Sequence, residues 1–210
     1  MVYKLFILTA LVGVFAMPSH ADEQKLVIVR HGEAESNIAK VYNFNPEDPA
    51  YKVMNLTAKG KEQAQQAAKA LLAKGFNNDN IAAVFVSPLP RTRQTAELMA
   101  QAGLFSKDKI IVSKEVTEAQ GGDLEGKPAA PVWTDEIANA HHGETLEQIQ
   151  ARVKQFYQSL KAKYPQGNIL VITHAVPGES LIEVVTGNKA KLNTGDFKVI
   201  SCLGSKCRAL

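Results

Sequence analysis

Cysteine is nearly missing from this 210-residue chain: there are two, Cys202 and Cys207, both close to the carboxyl terminus. No histidine lies near them in sequence, which argues against a metal pair, and their spacing is not the C-x-x-C of a redox-active pair. What remains is a disulfide across a small hairpin around Gly204-Ser205-Lys206, as in an oxidising compartment. The closed loop is short, so its entropic effect should be modest. Charge of one sign is lacking too. Lys and Arg number 24 against 21 Asp and Glu, and the net +3 is too scattered to suggest a nucleic-acid partner. There is no internal repeat, no low-complexity tract and no Pro/Gly-rich linker. After the first residues no apolar run is long enough to span a membrane. These absences leave one globular domain with a substantial core, expected over residues 22–210.

The amino terminus has the three parts of a secretory signal. Lys4 supplies the positive end, Leu5 to Phe15 the apolar stretch, and Ser19-His20-Ala21 the small residues before a cleavage site. Residues 1–21 are therefore expected to be a signal peptide and the protein to be periplasmic or secreted. No cysteine follows the apolar stretch, so a lipid anchor on cysteine is not suggested, and no membrane span is expected once the signal is cleaved.

Strand-like and helix-like segments alternate along the rest. Leu26 to Val29, Ile81 to Val86 and Ile169 to Thr173 are apolar runs rich in β-branched residues, the pattern of buried parallel strands. Ile110 to Ser113 is a shorter strand, and Phe197 to Cys202 with Lys206 to Ala209 reads as a closing hairpin. Thr57 can cap a helix to Lys74, where Gly75 ends it. Arg91 to Ala102 is a second helix, stopped at Gly103. Thr145-Leu-Glu-Gln148 fits a capping box for a third, running to about Lys163. Ser180 to Val185 is a fourth. Glu115 to Trp133, with its glycines and prolines, is a loop. The alternation predicts an α/β three-layer sandwich around a mostly parallel sheet.

Each of the three apolar strands stops at chemistry. The first ends in Arg30-His31-Gly32, the second in Ser87 with Arg91 at a helix start, and the third in His174. In open α/β sheets ligands bind beyond the carboxyl ends of strands. If these strands are parallel neighbours, two histidines and two arginines share one pocket with helix amino termini aimed at it. Arginine forks and helix amino termini both suit a phosphoryl group. A histidine among such cations resists protonation, stays neutral and can act as a nucleophile. The leaving alkoxide needs a proton, for which Glu115, Glu118, Asp123 and Glu125 on the long loop compete.

Five ordered segments carry a resemblance. They are Val29-Arg30-His31-Gly32-Glu33 with Asn37; Leu56-Thr57 through Gly60 to Gln63-Ala64; Ser87-Pro88-Leu89-Pro90-Arg91 through Thr95-Ala96; Glu118, Gly122 and Glu125-Gly126; and Val171-Ile172-Thr173-His174. Together they resemble the histidine phosphatase superfamily, in the branch related to phosphoglycerate mutase. The resemblance implies that fold and a set of roles. His31 would be the phosphorylated nucleophile, Arg30 and Arg91 the clamps on the phosphoryl oxygens, and His174 the second imidazole. Asn37 would help to hold the same group, and the backbone N–H of Ala175 would donate to it. Glu118 would be the proton donor, with Asp123 the second candidate. No metal and no cofactor are implied, because the arginines would supply the positive charge. Two departures stand out: Ala175-Val176-Pro177 follows His174 where many members have glycine, and Gly121-Gly122-Asp123 lacks the aromatic often found there.

Other residues read more simply. Lys59, Lys61, Lys69 and Lys74 suggest a solvated helix face, Arg93 a structural or rim position, and His141-His142 a surface loop. Trp133 reads as packing, while His142 or Glu144 could line the pocket. The activity expected is hydrolysis of a small-molecule phosphomonoester outside the cytoplasm. A mutase-type phosphotransferase, a phospho-histidine hydrolase and a phosphate-binding pseudoenzyme are the competing readings. Leaving-group selectivity should reside in the loops Val41 to Val53 and Gly126 to Gly143.

Overall fold

The computed structural model describes residues 24–203 and 206–210. The expected signal segment, including His20, and the hairpin tip Gly204-Ser205 lie outside the described residues. Six strands form one sheet: β1 (Lys25–Arg30), β2 (Ile81–Val86), β3 (Ile110–Val112), β4 (Asn168–Thr173), β5 (Phe197–Leu203) and β6 (Lys206–Ala209), in the order β3-β2-β4-β1-β5-β6. β3, β2, β4 and β1 are parallel; β5 and β6 close the sheet antiparallel. The expected three-layer α/β sandwich is thus the observed fold.

Alternation along the strands builds two cores. Leu26, Ile28, Phe85, Ile169 and Val171 face one way and pack on Ile149, Val153, Phe156 and Leu160 of helix α5 (Leu146–Lys163) and on Leu181 and Ile182 of α6 (Ala175–Thr186). Val27, Val29, Val84, Val86, Leu170 and Ile172 face the other way, against Ala67, Ala68 and Leu71 of α2 (Ala58–Ala73) and Ala96 and Met99 of α3 (Pro90–Gln101). Burial on both faces is why these strands read as unbroken apolar runs.

The connections explain where the site must be. From β1 the chain steps through α2 to β2 and through α3 to β3, outward along the sheet. It then returns through α5 to β4, between β2 and β1, and passes through α6 to β5 on the far side. Outward steps place helices on one face and return steps on the other, as right-handed crossovers require. β1 and β4 are neighbours whose chains leave in opposite directions, so the crevice beyond their carboxyl ends is the topological switch point.

Most helix signals acted as read. The Thr57 hydroxyl accepts from the Gly60 N–H at 3.0 Å, and Thr145 and Gln148 form the capping box. Helix α6 begins at Ala175, five positions before the Ser180 expected from sequence. Pro177 caused that difference, since proline usually breaks helices. Here it occupies the first turn, where its missing N–H has no helical partner to lose. Two short helices, α1 (Glu35–Ala39) and α4 (Asp135–Ala140), lie in segments read as connections. Cys202 and Cys207 are cross-strand partners on β5 and β6 and form the expected disulfide. No helix among the described residues is long and apolar enough to cross a membrane.

Candidate active site

Strand register brings the two histidines together. Arg30 on β1 lies opposite Thr173 on β4, so His31 and His174 leave the sheet side by side, their ring centroids 5.0 Å apart. The turn after β1 is pinned by a close backbone approach. A Cβ on Gly32 would lie 2.1 Å from the Gly60 carbonyl oxygen, and one on Gly60 would lie 2.0 Å from that of Glu33. The start of α2 is therefore seated directly on the turn that carries His31. Arg91 enters from the first turn of α3, just beyond Ser87-Pro88 at the end of β2.

Hydrogen bonds assign the protons. The single Nε–H of Arg91 points at both His31 Nε2 and His174 Nδ1, each 3.2 Å away. Both nitrogens must then be acceptors. His31 carries its proton on Nδ1 and donates it to the Gly32 carbonyl at 2.7 Å. His174 carries its own on Nε2, 2.8 Å from the Ser87 hydroxyl. That hydroxyl can donate as well as accept, so it can also satisfy the other tautomer of His174. His31 Nε2 is thus unprotonated, and His31 lines the pocket.

Burial and charge agree with neutral rings. Both imidazoles are fully enclosed, and desolvation, followed by the Arg91 guanidinium, holds each well below the ordinary histidine value of 6.5. Arg30 pushes both the same way. Glu118 shifts in the opposite sense for the same reason: burial raises its carboxyl, and Arg91 only partly pulls it back. A base held neutral and an acid whose proton is held more tightly than usual thus face one cavity, a division of roles set by environment.

The four acids separate clearly. Glu118 lines the cavity, with one carboxylate oxygen 3.9 Å from His174 Nδ1. Asp123 does not: it is exposed and bonded to the His141 ring at 2.8 Å. Glu115 is engaged by the Ser113 hydroxyl away from the cavity. Glu125 is buried and occupied, accepting from the N–H groups of Phe44 and Asn45, both at 2.9 Å, and from the Asn43 amide at 3.3 Å.

Arg30, Asn37 and Arg91 line the same cavity, whose volume is about 200 Å³. Arg30 donates from one terminal nitrogen to the Leu192 carbonyl, while its buried Nε has no partner. Ala175 opens α6 but does not line the cavity; Val176 beside it does. The lysines Lys59, Lys61, Lys69 and Lys74 are exposed, as is Arg93. His142 and Glu144 stay out of the cavity lining, and Glu144 is held by Arg152 through both carboxylate oxygens. Trp133 is more than packing: it lines the cavity and meets Tyr42 edge-on at 5.8 Å.

Sequence reasoning missed Asn43. Its side-chain and backbone oxygens accept from the two terminal nitrogens of Arg91, at 3.0 and 2.9 Å, and its amide reaches Glu125. Glu125 thereby fixes Asn43, and Asn43 fixes Arg91. An asparagine in a polar loop carries no periodic signal, and only the fold brings it to α3.

Comparison with known proteins identifies the family. The model of the histidine phosphatase superfamily (branch 1) matches residues 26–197. The chain belongs to that superfamily. Among curated histidine phosphatase relatives, a protein named as a probable phosphoglycerate mutase from Proteus mirabilis is 29% identical over 78% of this chain and 75% of its own. Phosphoserine phosphatase 1 of Hydrogenobacter thermophilus is 28% identical over 78% and 76%. Among solved structures, the α-ribazole phosphatase of Shigella flexneri superposes with a TM-score of 0.65 at 21% identity, covering 89% of this chain and 95% of that one. That likeness shows the shared fold.

Proposed function

We propose that the protein is an exported phosphatase that hydrolyses small phosphomonoesters through a phospho-histidine on His31. One observation carries the reading: the bifurcated Arg91 Nε–H that leaves both histidines neutral, with an unprotonated His31 Nε2 on a residue that lines the same cavity as Arg30 and Arg91. His31 Nε2 attacks phosphorus, and the bond from phosphorus to the ester oxygen breaks. Glu118, as the carboxylic acid, gives its proton to the departing alkoxide. As a carboxylate it then takes a proton from water, whose oxygen attacks the phospho-histidine. The P–N bond breaks, inorganic phosphate leaves and the His31 lone pair is restored. Arg30 and Arg91 bind the phosphoryl oxygens as charge builds on them, and His174, in the Nδ1–H tautomer with the Ser87 hydroxyl donating to its Nε2, donates to the same group with Asn37 and the start of α6. The two guanidinium groups occupy the role a divalent cation has in other phosphoryl transfers, so turnover is proposed to need no metal.

Export is supported by the three-part amino-terminal pattern and by a disulfide between the two cysteines. It favours hydrolysis over a mutase reaction, because a phosphoglycerate pool is cytoplasmic. The test is turnover of para-nitrophenyl phosphate in EDTA, together with acid-quenched mass spectrometry. The expected result is metal-independent turnover, a phosphoryl increment on the peptide containing His31, and loss of both in His31→Ala. Phosphate trapped on another residue, or full turnover by His31→Ala, would overturn the assignment.

A further inference from the structure

Both loops expected to govern selectivity meet at the mouth of the cavity, and they are tied to each other. Tyr42 N–H donates to the Lys127 carbonyl at 2.9 Å, Gly126 N–H to that of Tyr42 at 3.0 Å, and Ala129 N–H to that of Lys40 at 2.8 Å. Val41 and Pro128 form an antiparallel bridge, and the Tyr42 hydroxyl accepts from the Ala130 N–H at 3.1 Å. Glu125 anchors the base of this ribbon through Phe44 and Asn45. The wall is therefore built before substrate arrives, which lowers the ordering cost of binding.

Its chemistry is selective. Beyond the groups assigned to the phosphoryl end and the uncharged polar pair Ser36 and Asn43, the lining is Val41, Tyr42, Phe44, Pro131, Trp133 and Val176 with small alanines between them. Among the described residues of this lining, the permanent cations are Arg30 and Arg91, both committed to the phosphoryl end. Neighbouring cations are elsewhere. Arg152 is engaged by Glu144 and by the Glu115 and Thr117 carbonyls, and Lys40, Lys52 and Lys127 are exposed and outside the lining. A carboxylate or second phosphate placed against this wall would lose water without gaining a counter-charge, a cost of several kcal/mol. A ring would gain burial and contact with the Trp133 and Tyr42 faces.

We infer that the leaving group selected by this site is an uncharged, ring-bearing alcohol, and that phosphoglycerates and phosphoserine are poor substrates. This rests on the phosphatase reading and narrows it.

The experiment compares kcat/KM for four alkyl esters, chosen so that leaving-group basicity is similar: ethyl phosphate, 2-phenylethyl phosphate, phosphoserine and 3-phosphoglycerate. The ring-bearing ester should exceed each of the other three by about tenfold or more, equivalent to ~1.4 kcal/mol of differential transition-state binding. Trp133→Ala should bring the ratio of the phenylethyl to the ethyl ester toward one. Val41→Lys, which places an ammonium on the wall, should raise the ratio of 3-phosphoglycerate to 2-phenylethyl phosphate several-fold. Phosphoserine or 3-phosphoglycerate turned over as well as the ring ester by the wild-type protein would overturn the inference and leave hydrolysis intact. No turnover of any ester or of para-nitrophenyl phosphate would overturn the phosphatase reading instead.

Discussion

Two neutral histidines buried beside a guanidinium make the fold sensitive to mild acid, and the sensitivity can be assigned to individual residues. Both His31 and His174 have folded pKa values well below 6.5. In the unfolded chain each regains the ordinary value and takes up a proton as pH falls through it. The unfolded state then binds more protons, so stability is complete above this range and is lost as pH drops below 6.5 toward the folded values. From about pH 7 to about pH 5.5, linkage gives a loss of up to roughly 1 kcal/mol for each histidine, hence up to roughly 2 kcal/mol for the pair. Glu118 works against this. Its folded pKa is raised, so just above the ordinary carboxyl range the folded state binds the extra proton, and stability falls as pH rises there. The net loss should therefore be smaller than the histidine pair alone would give, yet still a noticeable share of an ordinary domain's stability. Urea unfolding at the two pH values, followed through the single tryptophan, Trp133, measures it. His31→Asn keeps a donor near the Gly32 carbonyl but removes one titrating ring. It should recover roughly half of the acid loss that the two histidines cause. If His31→Asn loses as much stability as the wild type over the same interval, the burial argument for His31 is wrong.

Three further outcomes follow from the same geometry. Glu118→Gln should reduce kcat for alkyl phosphates by about a hundredfold or more but affect para-nitrophenyl phosphate much less, since that leaving group needs little protonation; equal losses on both substrates would remove Glu118 from the donor role. Asn43→Ala should lower kcat about tenfold by releasing Arg91, with a smaller change in KM. Circular dichroism would confirm an intact fold, and unchanged kcat would show that Arg91 needs no such bracket. Gly32→Ala should cost at least about 3 kcal/mol, because the new methyl meets the backbone of Gly60, which has no side chain to move aside; a thermal melt within a few degrees of wild type would contradict the close approach.

What the sequence made legible was whatever obeys a local rule. The strands ending at Arg30, Val86 and Thr173, the caps at Thr57 and Thr145, and the cross-strand cysteines all follow from periodicity or short-range chemistry. His31, Arg91 and His174 stood out as candidates because each lies at a strand end or a helix start, whereas Glu118 was picked from four acids only through the family resemblance. The pairing of Asn43 with Arg91 was not legible, since it joins residues 48 positions apart through a loop without regular pattern. The role of Glu125 was misplaced among candidate acids because a buried carboxylate satisfied by N–H groups looks, in sequence, like any other. The early start of α6 was hidden by Pro177, whose usual meaning is reversed in a first turn. Trp133 read as packing, and its place on the cavity wall depends on a ribbon formed by two loops far apart in the chain.

Asn43 belongs to the same loop as Tyr42 and Phe44, so one short stretch both lines the cavity and holds the Arg91 guanidinium, and in the proposed reaction it would frame the leaving group and steady the phosphoryl end together. Selectivity and rate are thus not separate dials in this protein. A change that widens or recharges the wall also disturbs Arg91, and a lineage adapting to a new ester would have to restore speed as it altered preference. The substitutions freest to retune the substrate lie on the opposite bank, around Ala130 and Pro131, where the wall can change without touching the residue that fixes Arg91.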